Sequence, residues 1–496
     1  MPTLRQFNSP GLPRLVLQSA CGTIVAYVLA MSLACSIVTT PAKNGERRGA
    51  ADDSSGAQGE SLSWIRGFPG RSEAATEAQD ERVGTTRAVI PKPPLPRLPR
   101  AGGKFKDPTF GTEIMRATDE RDDPVGLSTY YSHWPTFNSD NTYLLVKKGL
   151  NGAALIKRFN SETFSVGPGG DQPGAVNVPG KGTVSVEFES AIWHPTDPNL
   201  IYCFPAYYDG GMRLYTYNVA TRRYTLVKDF SNLGGPNDYL HQMSMSADGD
   251  VFAWSQVRSG RDDNPISYIV WRRSTDKVLY HTATGGKVNE VRVDKSGQYL
   301  AIGYNGTQPD KTRGAYLTLA SGQVETIKWT PQDSPTGHGD LGTGFSAGWD
   351  NWASGINRRS LNKVHSPQLV FRFQDAKGTV DWTNDFHGSL LADNEDWITI
   401  GTYDDPSITL PETGIFEDEI MQVALDGSNR FRRICHTRSS IDNKTEASGY
   451  WAMPKPTISR DGRFIAFTSN WEKSGRFDVF IAKVAPAPAL SRRARN

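Results

Sequence analysis

The sequence predicts an all-β protein, a seven-bladed β-propeller of four-stranded antiparallel blades. Three observations predict it. From residue 130 onward, short apolar-alternating runs are broken by Asp-Gly, Ser-Gly or Asn-containing turns, and no helix-period segment of useful length interrupts them. One phrase recurs: "HWPTFNSDNTYLLV" at 133, "ESAIWHPTDPNLIYCF" at 189, "HQMSMSADGDVFAW" at 241, "NEVRVDKSGQYLAIGY" at 289, "HGDLGTGFSAGWDNWAS" at 338, "HGSLLADNEDWITIGTY" at 387 and "PKPTISRDGRFIAFTSN" at 454. Most copies lead into a second strand pair, such as "RLYTYNVATRRYTLV", and their starts lie about 45 to 67 residues apart, a period that suits four strands per unit. An isolated blade cannot bury both faces, whereas a closed ring can. Closure falls to "GTEIMRATD" (Gly111–Asp119), read as the strand that completes the seventh blade beside "DVFIAKV".

The elements follow in chain order. Residues 1–43 read as a signal peptide or a retained N-terminal anchor: Arg5 and Arg14 precede an uncharged run from Leu15 to Ala42 that ends in small residues. Residues 44–104 are polar and then proline-rich, and read as a disordered tether ending in a semi-rigid spacer. The propeller spans 105–486, and 487–496 form a disordered tail. These features place the protein outside the cytoplasm, as an exported, periplasmic, cell-surface or secreted monomer whose membrane contact is limited to such an anchor. A net charge of +2 argues against a dedicated nucleic-acid binder. Cys203 and Cys435 fall on well-separated blades and should not be bonded to each other.

In a propeller, the first strand of each blade lines the central channel. The phrase starts therefore converge on one rim, here called the upper face. Four of the eight histidines, His133, His241, His338 and His387, stand at or near that position, with Glu189 and Asn289 in other blades. The ends of the second strands and the loops after them add Lys147, Lys148, Tyr207, Tyr208, Asp209, Arg213, Arg258, Arg261, Tyr304, Tyr403 and Asn470. Together these make a cationic, phenol-rich rim with few carboxylates, which suits an anionic sugar. Elimination from a uronic acid needs a cation at the carboxylate, a base for the C5 proton and an acid for the leaving O4. All three are available. Glycoside hydrolysis wants two flanking carboxylates, for which Glu189, Asp209 and Asp340 are candidates without an evident pair. No nucleophile elbow, phosphate loop or zinc spacing is present.

The blade phrases, above all "YWAMPKPTISRDGRFIAFTSNW" and "HGSLLADNEDWITI", resemble those of propeller polysaccharide lyases: the oligogalacturonate, ulvan and rhamnose–glucuronate lyases. The resemblance covers most of residues 110–485. In the oligogalacturonate group, histidines on the last two blades and a Gln hold a metal. The resemblance places His387 suitably, but Met453 and Lys455 stand at the final-blade positions, which implies that this metal site is lost. The ulvan group uses a His on blade one, a second His further along it, a Tyr and an Arg. The resemblance matches His133, Tyr207 or Tyr208, and Arg213 or Arg258, while Lys147 and Lys148 stand near the expected second His.

The expectation is an exported lyase cleaving a uronic-acid-containing polysaccharide or oligosaccharide. The alternatives are a non-catalytic propeller binding a glycan or protein, and a glycoside hydrolase on the same scaffold. Arg258 and His241 are expected to neutralise the substrate carboxylate, while His133 and Tyr207 or Tyr208 move protons. Lys147, Arg213, Asn289, His338, His387 and Tyr403 are expected to bind substrate. No cofactor is called for, and a divalent metal near His387 and His338 stays open.

Overall fold

The computed structural model describes residues 85–148, 153–206, 211–258, 264–404 and 413–490. The expected signal or anchor and the polar part of the tether lie outside them. Seven antiparallel sheets form the ring. Their inner strands are Leu127–Ser128, Val186–Trp193, Asp238–Met245, Val288–Val293, Gly337–Gly342, Asn384–Ser389 and Thr457–Ile458, for blades 1 to 7. The fifth phrase, the least regular in sequence, builds a complete four-stranded blade. A short hairpin, Val176–Val178 with Gly182–Val184, is inserted between blades 1 and 2.

Closure occurs where the sequence places it. Glu113–Arg116 pairs antiparallel with Asp478–Lys483, in a register that sets Glu113 opposite Lys483, and Lys104–Lys106 adds a fifth strand outside it. Seven large buried apolar clusters hold the ring, each joining one blade to its neighbour. Phe464 of blade 7, for example, packs against Phe137 and Phe159 of blade 1, at 6.2 and 5.0 Å between ring centroids. The alternation read from the sequence thus faces both ways: the middle strands of a blade bury their two faces against two neighbouring blades, while outermost strands such as Arg223–Asp229 and Lys277–Ala283 stay largely exposed. Cys203 and Cys435 are buried and unbonded, as expected.

At both ends of the described residues the structure differs from the sequence expectation. Residues 85–104 are docked on blades 5 to 7. Proline-rich backbone leaves its carbonyls unsatisfied by internal hydrogen bonds, and the propeller supplies donors for them. Arg433 Nη1 donates to Ala88 O at 2.8 Å, Arg438 Nη1 to Pro93 O at 2.9 Å, Trp471 Nε1 to Pro96 O at 3.0 Å and Arg116 Nη1 to Pro99 O at 2.7 Å. Arg87 binds in the other direction, donating to Arg372 O and Gln374 O and lying over the rings of Phe371, Phe416 and Phe431. At the other end, residues 487–490 of the expected free tail are held by Trp397 Nε1, which donates to Pro488 O at 2.8 Å, and by burial of Leu490.

Candidate functional site

The channel is filled from irregularities in the inner strands. In blade 1, Leu127–Ser128 pairs with the second strand and the backbone then detours, with Tyr130 at φ 65°, before pairing resumes at Phe137. His133 lies on this detour, inside the channel and not at the start of a strand. In blade 3 the register shifts between His241 and Ser244, and in blade 5 between Gly337 and Asp340. The blade 5 bulge depends on Gly339, where a Cβ would stand 1.9 Å from the Ala347 carbonyl oxygen. His387 projects from a regular strand.

Three of the four histidines join one cluster of rings. His338 stacks on His387 at 4.8 Å with planes 9° apart, and His387 stacks on Tyr403 at 5.5 Å. Tyr131 meets the edge of His387 at 5.0 Å and lies 4.6 Å from the ring of His133. Asp385 orients His338, with Oδ1 at 3.2 Å from Nδ1. His133 Nδ1 lies 3.3 Å from Arg292 Nη1, which also donates to Gly339 O. Burial, followed by Arg292 and Lys147, holds the His133 imidazole well below its ordinary pKa. Burial, followed by His338 and Lys455, does the same for His387. Both are therefore neutral bases at neutral pH. His387 Nδ1 is buried with no partner among the described residues. The fourth histidine, His241, contacts Tyr239 at 6.4 Å in blade 3.

A second cluster sits beside the first. Lys147 is buried and its ammonium donates to Glu189 O, with the rings of Tyr130 and Trp134 at 5.5 and 5.3 Å. Burial lowers its pKa to about 7. The Glu187 carboxyl accepts the Glu189 amide, and burial next to the Glu189 carboxylate raises its pKa. Asp340 is also buried and raised, and accepts the amides of Leu341 and Leu390. Carboxylates are thus well represented, contrary to the rim expected from sequence, because the bulges carry inner-strand residues into the channel.

The remaining site expectations resolve as follows. Arg258 is tied to Asp238 through two contacts of 2.7 and 3.1 Å, and Arg213 to Asp229 at 2.8 Å, so both guanidinium groups already have carboxylate partners. Lys148 pairs with Asp123, and Asn470 binds backbone carbonyls of Ser440 and Ala447. Asn289 is exposed on the blade 4 inner strand. Tyr207, Tyr208, Asp209 and Arg261 lie outside the described residues. Arg292 and Tyr131 were missed. Arg292 stands inside "NEVRVDKSG" as an ordinary alternating residue, and its only sequence signal was a cation on a strand expected to line the channel. Lys455 is fully buried and its ammonium donates to Tyr450 O. Around His387, parallel stacking turns ring faces toward one another, and the Lys455 charge lies close by. Among the described residues no group of three or more His, Cys, Asp or Glu could hold a metal ion. The residues present do not fit a divalent cation.

No protein-family model matches the chain, and no curated protein matches it significantly. Among solved structures, it is similar to an oligogalacturonate lyase from Vibrio parahaemolyticus, at 12% identity and a TM-score of 0.55, covering 78% of this chain and 98% of that one. It is also similar to an oligogalacturonate lyase in complex with manganese, at 12% identity and a TM-score of 0.50, covering 79% of this chain and 98% of that one. At such identity the likeness shows a shared fold: this chain is a seven-bladed β-propeller of the architecture on which oligogalacturonate lyases are built.

Proposed function

We propose that the protein is a polysaccharide lyase acting on a uronic-acid-containing polysaccharide or oligosaccharide by β-elimination. One observation carries the reading: a neutral imidazole, His133, stands 3.3 Å from the Arg292 guanidinium inside the channel, within a ring cluster that includes Tyr131 and His387. Arg292 takes over the role expected of Arg258 and pairs with the substrate carboxylate, stabilising the negative charge that grows beside it as C5 loses its proton. Its carboxylate neighbours Glu290 and Asp340, at 3.6 and 3.8 Å, lie farther off than the partners of Arg258 and Arg213, and burial favours the neutral form of Asp340. His133 takes the C5 proton, the electron pair becomes the C4–C5 double bond, the C4–O4 bond breaks, and the Tyr131 phenol donates a proton to O4. The stacked His338, His387 and Tyr403 bind the sugar, with His387 Nδ1 open to a hydroxyl. The likeness of fold to oligogalacturonate lyases supports the same class of substrate. Export belongs to the same proposal and is supported by the uncharged Leu15–Ala42 run.

A second reading is favoured by the Glu187 and Glu189 carboxyls. A carboxyl that burial holds toward its protonated form, Glu187, beside a second carboxyl supplies the acid that glycoside hydrolysis needs. One assay separates the two. Incubated with a panel of acidic polysaccharides, a lyase generates ultraviolet-absorbing unsaturated uronates. A hydrolase releases reducing ends without that absorbance, and a binding propeller does neither.

A further inference from the structure

A buried ammonium destabilises a fold unless something compensates it, and the proposed elimination leaves Lys147 without a part. The residue is 2% exposed, and its ammonium donates to a main-chain carbonyl, Glu189 O of blade 2. Methionine has nearly the same shape and would fill the space with no charge to take out of water.

Lys147 lies where the blade 1 inner strand leaves its sheet. It stands opposite Ser128, the last inner-strand residue before the detour, and opposite Ala154 on the third strand. Pairing resumes between Phe137 and Leu144, so the inner strand runs from 128 to 137 while the second strand moves only from 147 to 144. The ends of this loop are pinned. Thr129 Oγ1 donates to Lys455 O at 2.6 Å, and Thr136 O accepts the Leu145 amide at 2.7 Å. Within it, Tyr130 and Trp134 bracket Tyr131 and His133, with ring centroids 5.6 Å apart. The Lys147 ammonium lies 5.5 Å from the first ring and 5.3 Å from the second, close enough for cation–π attraction to both. That attraction is strongest where water is excluded. The Trp134 ring in turn lies 4.6 Å from His133.

We propose that Lys147 is a positioning residue, whose ammonium clamps the rings of Tyr130 and Trp134 and so fixes Tyr131 and His133 against Arg292. Its part in catalysis rests on the lyase reading, whereas the clamp itself does not. The titratable groups that face Lys147 are the Glu187 and Glu189 carboxyls of blade 2 and, on the detour, the Tyr130 phenol and the His133 imidazole. Burial brings the Lys147 pKa to about 7, so the clamp opens as pH rises through neutrality. The same charge helps to hold the His133 imidazole below its ordinary value.

Hydrogen exchange of the full chain tests the clamp without reference to activity. The amides of Tyr130, Tyr131 and Trp134 are hydrogen-bonded within the detour. Corrected for intrinsic rates, they should exchange at least about tenfold faster at about pH 8.5 than at about pH 6, on either side of the Lys147 value. The same contrast should persist in Glu187→Gln, which removes the other group raised into that range. In Lys147→Met, exchange should be fast at both. In the unsaturated-uronate assay, kcat of Lys147→Met should fall about 10- to 100-fold with KM little changed. Its acid limb should move to higher pH, because His133 has lost a neighbouring cation. The urea midpoint at neutral pH should be retained or raised, since a buried charge is gone. Exchange indifferent to pH, or a Lys147→Met detour as protected as that of the wild type, overturns the clamp. A raised KM at unchanged kcat overturns it in favour of direct substrate binding, and a lowered urea midpoint in favour of a purely structural role. No unsaturated product from the wild type, together with the expected exchange pattern, overturns the lyase reading and supports the clamp.

Discussion

Arg87→Ala is the sharpest test of how the ring is held. The guanidinium makes three hydrogen bonds: to Arg372 O at 3.0 Å, Gln374 O at 2.9 Å and Asn429 Oδ1 at 2.8 Å. Its carbon lies 4.6, 5.0 and 5.7 Å from the ring centroids of Phe371, Phe431 and Phe416. These partners belong to blades 5 and 6, so one side chain ties two blades together. A hydrogen bond to a charged donor contributes about 1.5–3 kcal/mol when buried, and two of these three are exposed, so the set is discounted to about 2 kcal/mol. Contact of the cation with phenyl faces adds about 0.5–1 kcal/mol. The expected loss is therefore about 2–3 kcal/mol, read as a lowered midpoint in equilibrium urea unfolding of the full chain. Arg87→Lys should lose most of it too, because an ammonium cannot present a planar fork to two carbonyls while lying on the rings. A shift below about 0.5 kcal/mol, the size of an ordinary surface substitution, would refute the claim that the proline-rich segment is structural.

Other outcomes are equally specific. His133→Ala should lower turnover about 10²- to 10⁴-fold in the unsaturated-uronate assay, and the acid limb of the wild-type pH profile should lie below the ordinary histidine value of 6.5, since the folded pKa is depressed. Glu187 is raised in the folded state, so the native protein keeps a proton that the unfolded chain releases. Its contribution to stability is complete below the ordinary value of 4.5 and is lost as pH rises toward the raised one. Glu187→Gln should flatten that fall in urea midpoints measured from pH 5 upward. Lys147 has the opposite sign: the folded value of about 7 against 10.5 makes stability rise with pH between them, and Lys147→Met should remove that rise. Gly339→Ala should cost at least about 2 kcal/mol in urea unfolding, because its Cβ would collide with the Ala347 carbonyl and displace the blade 5 bulge.

The ring, its blade count and its closing strand were legible because each rests on periodicity. Strand alternation and turn residues recur, and a sequence can be compared with itself. The site was legible only in part. His338 and His387 sit on inner strands near the positions that the phrase predicts, and they do meet. His133 joins them through Tyr131, but from a detour inside the blade 1 inner strand and not from a strand start, a detour invisible to a pattern that expects uninterrupted alternation. Arg292 looked like any alternating strand residue, since its importance comes from the detour of blade 1 and the bulge of blade 5, which bring His133 and Gly339 to it. The proline-rich segment was misread for a different reason. Composition reports whether a segment can bury apolar side chains, whereas this one is held mainly through its main-chain oxygens and a single arginine.

The pairing of Glu113–Arg116 with Asp478–Lys483 has a consequence for biosynthesis. Arg116 and Asp478, joined at 2.6 Å, are 362 positions apart. The first of these strands leaves the ribosome long before its partner exists, and contacts so distant in sequence form late and slowly. Until then the nascent chain carries open strand edges at both ends, which are available for mispairing. The last blade therefore acts as a completion check: a product truncated before residue 478 has most of the blades and no means of locking them. It should be recognised by proteases and chaperones as unfinished, however much of its fold has already formed.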